Sequence, residues 1–293
     1  MSEVNWSKLN IANVRGKSRL TSCKSVSPLK VFNPQQISDF CSVVLSNYGG
    51  GFVQGDRINI KINIEENAKC FLSTQANTRI YKSQDGKVSS QIVHGRIEAN
   101  GMAILLPDPV VPHAGSRFKQ SQIWDLGKSS SLILVETLHP GRIGIGEEFA
   151  FHNYSSDLSI RMDQKLIVKD HYVFEPDKSS LRWPGNFGPY RIVTNVFLIG
   201  ESLRDSLQSL KENFKSFLSC TMGSGKKMET NSPSTLTDRL PAFLLSMTRV
   251  ENIGYVLRIL AREVEKVNQI LARLWDHLTK SAIVDWDPTR RRF

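Results

Sequence analysis

The sequence has few cysteines and lacks long apolar runs. Its four cysteines, Cys23, Cys41, Cys70 and Cys220, form no Cys-x-x-Cys pair, which argues against a disulfide framework or a zinc cluster and favours reduced thiols. No stretch reaches the roughly 18 apolar residues of a membrane helix, and the N-terminus lacks the apolar segment of a signal peptide. We therefore expect a cytoplasmic protein with no membrane partner.

Sequence signatures of common catalytic sites are also missing. No Gly-x-Ser-x-Gly elbow and no His-Glu-x-x-His motif occurs, and the six histidines are isolated from one another. The segment Gly223–Lys227 fails as a phosphate-binding loop, because position 227 is Lys rather than Ser or Thr and no strand precedes it. Gly49–Gly51 likewise lacks the spacing and the following helix of a dinucleotide fingerprint. These absences disfavour hydrolase, zinc-peptidase and nucleotide-binding functions.

The charge is basic, with 38 Lys and Arg against 28 Asp and Glu, a formal net charge of +10. Such a charge attracts negatively charged partners over long range. The basic residues are scattered along the sequence, and the densest run is Arg290–Arg292. Because no basic stripe is evident, a solvated basic surface is favoured and no nucleic-acid partner is expected.

Apolar residues recur with period two through much of the first 200 positions, within an ordinary globular composition of 293 residues. The clearest run is Ile58–Ile64, in which isoleucine alternates with Asn and Lys, and a second extends over Leu158–Val168. Asp85-Gly86 and Asn100-Gly101 are typical turn pairs and predict consecutive antiparallel hairpins. Residues 1–200 are therefore predicted to form a β-rich body.

The periodicity changes after residue 200. Apolar positions spaced by three and four predict an amphipathic helix over Glu201–Cys220 and a stronger one over Gly254–Thr279. Residues 221–238 are polar, carry Pro233 and predict a flexible linker. We expect a mainly β fold of stacked antiparallel sheets in a two-layer, β-helix-like body, with residues 201–293 as a helical C-terminal region packed on the same domain. The helices either pack on this body or dock against partner helices.

Five segments carry a family resemblance. Tyr48–Arg57 and Leu72–Ser83, together with Ser27–Val31, Leu106–Pro112 and Gly141–Glu147, resemble the UreD (UreH) family of urease accessory proteins in sequence, order and spacing. This resemblance implies a non-enzymatic chaperone or scaffold that binds the urease apoprotein and recruits UreF and the GTPase UreG for nickel insertion. It also implies a mainly β fold with two C-terminal helices, no tightly bound cofactor beyond transient nickel, and compatibility with a homodimer in the accessory complex.

The resemblance suggests candidate residues for these roles. Family members are thought to pass nickel through an internal route lined by acidic or polar groups, and the candidates here are Asp56, Glu136 and Glu147. Each also has a simpler interpretation: Asp56 as a turn cap or ion-pair partner, Glu136 as a solvated strand residue and Glu147 as surface charge. Arg142 and Arg57 are candidates for a different role, the anchoring of loops through bidentate hydrogen bonds to carboxylates or carbonyls.

Leu260, Val267 and Leu274, on the stripe of the last predicted helix, are candidates for partner binding. Two other functions stay open. One is an enzyme of unknown class on a β scaffold, with His113, His139, Asp108 and Glu147 in one pocket. The other is a basic nucleic-acid-binding β protein, whose affinity would fall steeply with salt.

Overall fold

A computed structural model describes residues 5–34, 38–183, 185–204, 206, 209–210, 212 and 240–288. Over these residues the chain is mainly β, as the period-two pattern predicted. In chain order the strands are β1 (Ser7–Val14), β2 (Lys17–Lys24), β3 (Leu29–Phe32), β4 (Cys41–Asn47), β5 (Gly51–Phe52), β6 (Arg57–Ile64), β7 (Lys69–Thr74), β8 (Thr78–Ile80), β9 (Ser89–Ile97), β10 (Met102–Leu106), β11 (Val110–Pro112), β12 (Arg117–Leu126), β13 (Ser131–Leu138), β14 (Asn153–Met162), β15 (Lys165–Phe174), β16 (Ile192–Gly200), β17 (Phe243–Val250) and β18 (Gly254–Ala261). The helix α1 spans Val264–Lys280, and single 3-10 turns occur at Tyr48–Gly50, Ile143–Ile145 and Glu201–Leu203.

The strands form two stacked sheets. The first sheet has the order β15-β14-β12-β9-β6-β1-β2, and the main path of the second is β17-β18-β16-β13-β10-β7-β4-β3. Successive passes of the chain through each sheet lie parallel, β6-β9-β12-β14 in the first and β4-β7-β10-β13 in the second. Between these passes, β5, β8 and β11 stack as a short third side. The chain therefore winds as a β-solenoid, with antiparallel strands at both ends.

The predicted succession of antiparallel hairpins is wrong. The Asn100-Gly101 turn carries the chain from β9 in the first sheet to β10 in the second, so the strands on either side of it do not pair. The run Leu158–Val168 is a hairpin of β14 and β15, with positive φ at Asp163 and Gln164. Turn residues and period indicate where a strand ends, but they do not tell whether the next strand pairs beside it or crosses to another layer.

Two hydrophobic cores hold the layers together. The first lies between the sheets and is filled by alternate residues of each strand, such as Ile58, Ile60 and Ile62 of β6. The second lies between the outer face of the second sheet and α1, whose Val267, Leu274 and neighbouring apolar residues are buried there. The second sheet is consequently buried on both faces.

The prediction of two C-terminal helices is corrected for the described residues. The structure describes one α-helix of more than a single turn within the ranges given above, and most of the predicted helix Glu201–Cys220, like the predicted linker 221–238, lies outside those ranges. The predicted helix Gly254–Thr279 begins ten residues later, at Val264, because its first third is strand β18. Residues 201–293 are therefore not a helical region throughout, since β17 and β18 extend the second sheet.

The prediction of a helix at strand β18 was wrong for a physical reason. Strand β18 lies between the two cores, with Val256 facing the first and Leu257 and Ile259 facing the second. A strand buried on both faces is apolar in nearly every position and loses the alternation that distinguishes it from a helix.

Leu260, Val267 and Leu274 do not share one surface. Leu260 is a strand residue that packs against the first core, whereas Val267 and Leu274 are buried against the outer face of the second sheet. Burial within the chain favours the packing alternative for this stripe over docking of partner helices.

Candidate functional site

Glu136 occupies an interior position among leucines. Alternation along β13 directs Leu132, Leu134 and Leu138 into the first core and Ile133 and Val135 into the second. Glu136 therefore points between the two sheets and is only 7% exposed. The expectation of a solvated strand residue is wrong at this position, because β13 is covered on both faces.

Two glutamines of the opposite sheet bind this carboxylate. Gln120 and Gln122 of β12 each donate a side-chain N–H to Glu136 Oε1, at 2.5 Å and 2.7 Å. Trp124 Nε1 in turn donates to Gln122 Oε1 at 3.2 Å, which fixes the amide's orientation. The other carboxylate oxygen, Oε2, is buried and accepts no hydrogen bond from the described residues. An unpaired buried oxygen is costly and marks a position able to bind a cation, a proton or water.

A narrow cavity of about 70 Å³ adjoins Glu136. One water requires roughly 15 Å³, so the space suffices for water or a small ion. Pro107, Asp108 and Thr137 line both this cavity and a groove of about 460 Å³ beside α1. Thr74 Oγ1 donates to Asp108 Oδ2 at 2.9 Å and accepts from the Asp108 N–H at 2.7 Å, which holds that carboxylate in place. The interior cavity and the groove therefore share a wall that carries polar groups.

A polar ladder leads from Glu136 in the opposite direction. Strand register places Glu136 beside Asn195 of β16, and Asn195 beside Arg258 of β18. Arg258 donates to Asn195 Oδ1 at 3.2 Å and to Asp170 Oδ1 of the first sheet at 2.7 Å. The Arg258 side chain is 47% exposed, whereas that of Asp170 is 10% exposed. The ladder therefore begins at the cavity and ends at solvent.

Asp56 and Glu147 lie away from the cavity. Asp56 Oδ2 accepts the Val53 N–H at 2.8 Å and caps the turn before β6, as its simpler interpretation predicted. Glu147 binds Arg142 through both carboxylate oxygens and accepts the Ala114 N–H at 3.1 Å. Arg142 thus anchors its loop in the bidentate manner expected, and the hydrogen bonds from it lower the pKa of Glu147. The structure does not bring these two carboxylates together with Glu136.

Four of the five segments that carry the family resemblance meet on the short side of the solenoid. Gly51–Phe52, Thr78–Ile80 and Val110–Pro112 stack in register, although about 30 residues separate each from the next. A Cβ at Gly51 would lie 2.5 Å from the Arg79 carbonyl oxygen, so this close stacking requires glycine. The loop Gly141–Glu147 joins the same side through the Glu147 bond to Ala114. These sequence segments therefore lie where successive turns of the solenoid contact one another.

The groups considered for an enzyme are not gathered in one pocket. His113 stacks edge-on against Tyr81, with ring centroids 5.2 Å apart, and His139 Nδ1 bonds the Gly141 carbonyl oxygen at 2.8 Å. Asp108 faces the interior cavity instead, while Glu147 is paired with Arg142. Across the described ranges, no three His, Cys, Asp or Glu side chains cluster closely enough to hold a metal ion.

Comparison with known proteins assigns the family. The UreD urease accessory protein family model matches residues 6–293. The chain belongs to the UreD family. It is 30% identical to urease accessory protein UreD of Cytophaga hutchinsonii over 292 residues, which is 100% of this chain and 99% of that protein. It is 29% identical to urease accessory protein D of Arabidopsis thaliana, over 90% of this chain and 93% of that protein. Membership of the UreD family supports a role in urease maturation.

Several residues around Glu136 are not among those that the sequence predicts for the site. Gln120, Gln122 and Arg258 contribute to it through contacts between strands that are distant in sequence, so no local pattern indicates them. Asp108 belongs to one of the family blocks, yet nothing in the sequence places it at a cavity wall. The one local signal is a polar residue in the buried register of a strand, as at Gln120 and Glu136. Within the described ranges of this chain, no helix is both long and apolar enough to cross a membrane.

Burial raises the pKa of Glu136 from 4.5 to about 7. The hydrogen bond from Gln122 opposes this rise, the charge of Asp170 adds to it, and the hydrogen bond from Gln120 opposes it. The folded chain therefore holds the Glu136 proton more tightly than the unfolded chain does. The resulting stability is fully present below pH 4.5 and is lost as the pH rises through about 7.

We expect the stability of the wild type to fall relative to Glu136→Gln as the pH rises. The amide does not titrate, so the difference in unfolding free energy should change by roughly 3 kcal/mol between pH 4.5 and pH 8 in favour of the variant. Urea unfolding of both metal-free proteins across this range measures it. A difference that does not vary with pH would contradict the buried, proton-binding carboxyl.

Proposed function

We propose that this chain is a non-catalytic scaffold of urease maturation that acts in the cytoplasm. It binds the urease apoprotein, recruits UreF and the GTPase UreG, and contributes an interior passage for nickel rather than a tight nickel site. The proposal of these partners and of the cargo rests on the family. The passage rests on one observation in particular, the unpaired buried oxygen of Glu136 beside a cavity that shares its wall with a surface groove.

The chemistry of the passage suits a transferred ion. Nickel accepts oxygen as well as nitrogen and sulfur ligands, and it leaves a site more easily when few strong ligands hold it. Glu136 supplies one oxygen that has no other partner among the described residues, and Asp108 supplies another carboxylate at the groove. The amides of Gln120 and Gln122 hold the Glu136 carboxylate in position. Two carboxylates at different depths would bind the ion briefly in succession.

Complex formation tests the scaffold role. The tagged full chain is co-expressed with apo-urease subunits, with and without UreF, in nickel-free medium, and the purified material is analysed by size-exclusion chromatography with light scattering. We expect a stoichiometric complex whose mass also shows whether this chain is present once or twice. Absence of any complex with the folded chain would overturn the scaffold role.

Glu136→Gln tests the passage separately. We expect the variant to assemble with urease as the wild type does, because the amide keeps the shape and can accept the same hydrogen bonds. At limiting nickel it should lower the nickel content and activity of the co-expressed urease about tenfold, comparable to the loss of one group around a bound metal. Metal analysis and a urea-hydrolysis assay of the purified urease measure the two quantities.

Matched variants decide which carboxylate matters. Glu66→Gln changes the same group at an exposed position and should leave nickel content unchanged. Asp56→Asn and Glu147→Gln test the other two candidates, whose turn-capping and ion-pairing contacts predict effects on the loops rather than on nickel content. Normal nickel content with Glu136→Gln would exclude Glu136 from the passage and leave the scaffold role standing.

A further inference from the structure

A row of basic side chains crosses the outer face of the first sheet. Strand register places Lys24 of β2 beside Lys8 of β1, Lys8 beside Lys61 of β6, and Lys61 beside His94 of β9. The three lysines are exposed and His94 is half-buried. Adjacent strands are about 4.8 Å apart, so the four groups, here called the basic row, span roughly 14 Å.

The basic row is electrostatically unfavourable within this chain. Like charges directly opposite one another on neighbouring strands destabilise a sheet. Among the described residues, no carboxylate forms an ion pair with Lys8, Lys24 or Lys61. The Asp125 carboxylate, which borders the row, is 3.6 Å from Arg161, and the neighbouring Arg96 is paired with Glu98. The positive charge of the lysines is therefore available to a partner.

The basic row lies along a groove and beside an aromatic ring. A groove of about 440 Å³ runs along it, lined by Lys8, Lys61 and His94. At one end the Trp6 ring packs against His94, with ring centroids 4.7 Å apart, and Lys61 Nζ lies 5.0 Å from the Trp6 ring centre. An aromatic ring beside cations provides an apolar contact as well as charge.

The spacing of the row selects the shape of its ligand. Along an α-helix, side chains on one face recur with each turn of 5.4 Å, close to the 4.8 Å between strands. Along an extended peptide they recur about every 6.8 Å, so the second and third side chains lie roughly 2 Å and 4 Å beyond the second and third positions of the row. The Asp125 carboxylate lines the same groove and would repel a continuous phosphate backbone, whereas a helix can carry an uncharged residue at that position. We propose that the basic row binds an acidic helix of a partner protein, through carboxylates at positions i, i+4 and i+7.

The experiment uses the full chain and a defined peptide. The probe is a fluorescent alanine-based helix of about 20 residues with Glu at i, i+4, i+7 and i+11. A second peptide has the same composition with its glutamates distributed around the helix. Fluorescence anisotropy at low salt measures binding of both peptides, and of a labelled DNA duplex of arbitrary sequence. We expect the one-face peptide to bind at least about tenfold more tightly than the scrambled one.

Charge reversal locates the site. Lys8→Glu with Lys61→Glu should weaken binding of the one-face peptide about tenfold or more, since two ion pairs are replaced by repulsions. Lys119→Glu with Lys128→Glu changes the net charge equally at exposed positions outside the row and should change affinity less than about twofold. The milder pair Lys8→Gln with Lys61→Gln repeats the test if the reversal disturbs folding, which circular dichroism monitors.

Three results would overturn the proposal. The first is equal affinity of wild type and row variants for the one-face peptide. The second is equal loss in the control pair, which would show that only net charge matters. The third is tighter binding of the DNA duplex than of the peptide, abolished by the row variants, which would make the row a nucleic-acid site.

Discussion

Replacing Gly95 by Ala should lower the free energy of unfolding by about 3 kcal/mol. A Cβ at Gly95 of β9 would lie 2.1 Å from Cε3 and Cζ3 of Trp124, a side chain that is fully buried on the neighbouring strand. Neither backbone can retreat easily, because β9 pairs with β6 on one side and β12 on the other. Overpacking of this kind costs about 1 to 3 kcal/mol, and sometimes more. Urea unfolding followed by circular dichroism measures the loss.

Two further variants establish the cause. Gly144 has no atom near the position of its Cβ, so Gly144→Ala should change stability by less than about 0.5 kcal/mol. In a Trp124→Leu background the clash is removed, and Gly95→Ala should then cost less than about 1 kcal/mol. An undiminished cost in that background would contradict the contact. Because Trp124 also donates to Gln122, displacing the indole should disturb the amide that binds Glu136.

Leu274→Ala should destabilise the chain by about 3 kcal/mol. Leu274 is fully buried between α1 and the second sheet, next to Trp275 and Val267. Removing buried leucine side chains costs about 2 to 5 kcal/mol, depending on how far the cavity collapses. Denaturant unfolding provides the value, and Leu244→Ala on β17 is the control, since Leu244 is 46% exposed and should cost much less.

The same position tests whether the helix stripe serves packing or a partner. Leu274→Asp places a carboxylate in the second core and should lose the cooperative unfolding transition. If the variant is as stable as the wild type and loses partner binding, the apolar stripe of α1 serves as a docking surface. Loss of folded structure together with binding would favour packing.

In this solenoid, the two faces of a strand lie in different environments. Alternate residues of β13 face either the first core or α1, and this alternation alone puts Glu136 beside the cavity. Alternate residues of β6 face away from the first core, which puts the exposed Lys61 on the outer face of the first sheet. The proposed nickel passage and the proposed acidic-helix surface are therefore separated by a sheet. Their variants, Glu136→Gln and Lys8→Glu with Lys61→Glu, should act independently.

Local features of the sequence were sufficient for much of the fold and for the family. The alternation of Ile58–Ile64 indicates a half-buried strand, and the spacing of apolar residues from Val264 indicates a helix, because each depends only on the period of its own backbone. The blocks Tyr48–Arg57 and Leu72–Ser83 indicate the UreD family through the identity and order of their residues alone.

Only the tertiary structure decided which residues meet. Strand β18 was misassigned because two cores remove its alternation, and the predicted hairpins were wrong because consecutive strands cross between sheets. The pairing of Gln120 with Glu136 and the alignment of Lys8 with Lys61 join strands far apart in sequence. The physical reason is the same in each case. The period of a strand determines which of its side chains share a face, whereas the stacking of successive solenoid turns and sheets determines which residues that face contacts.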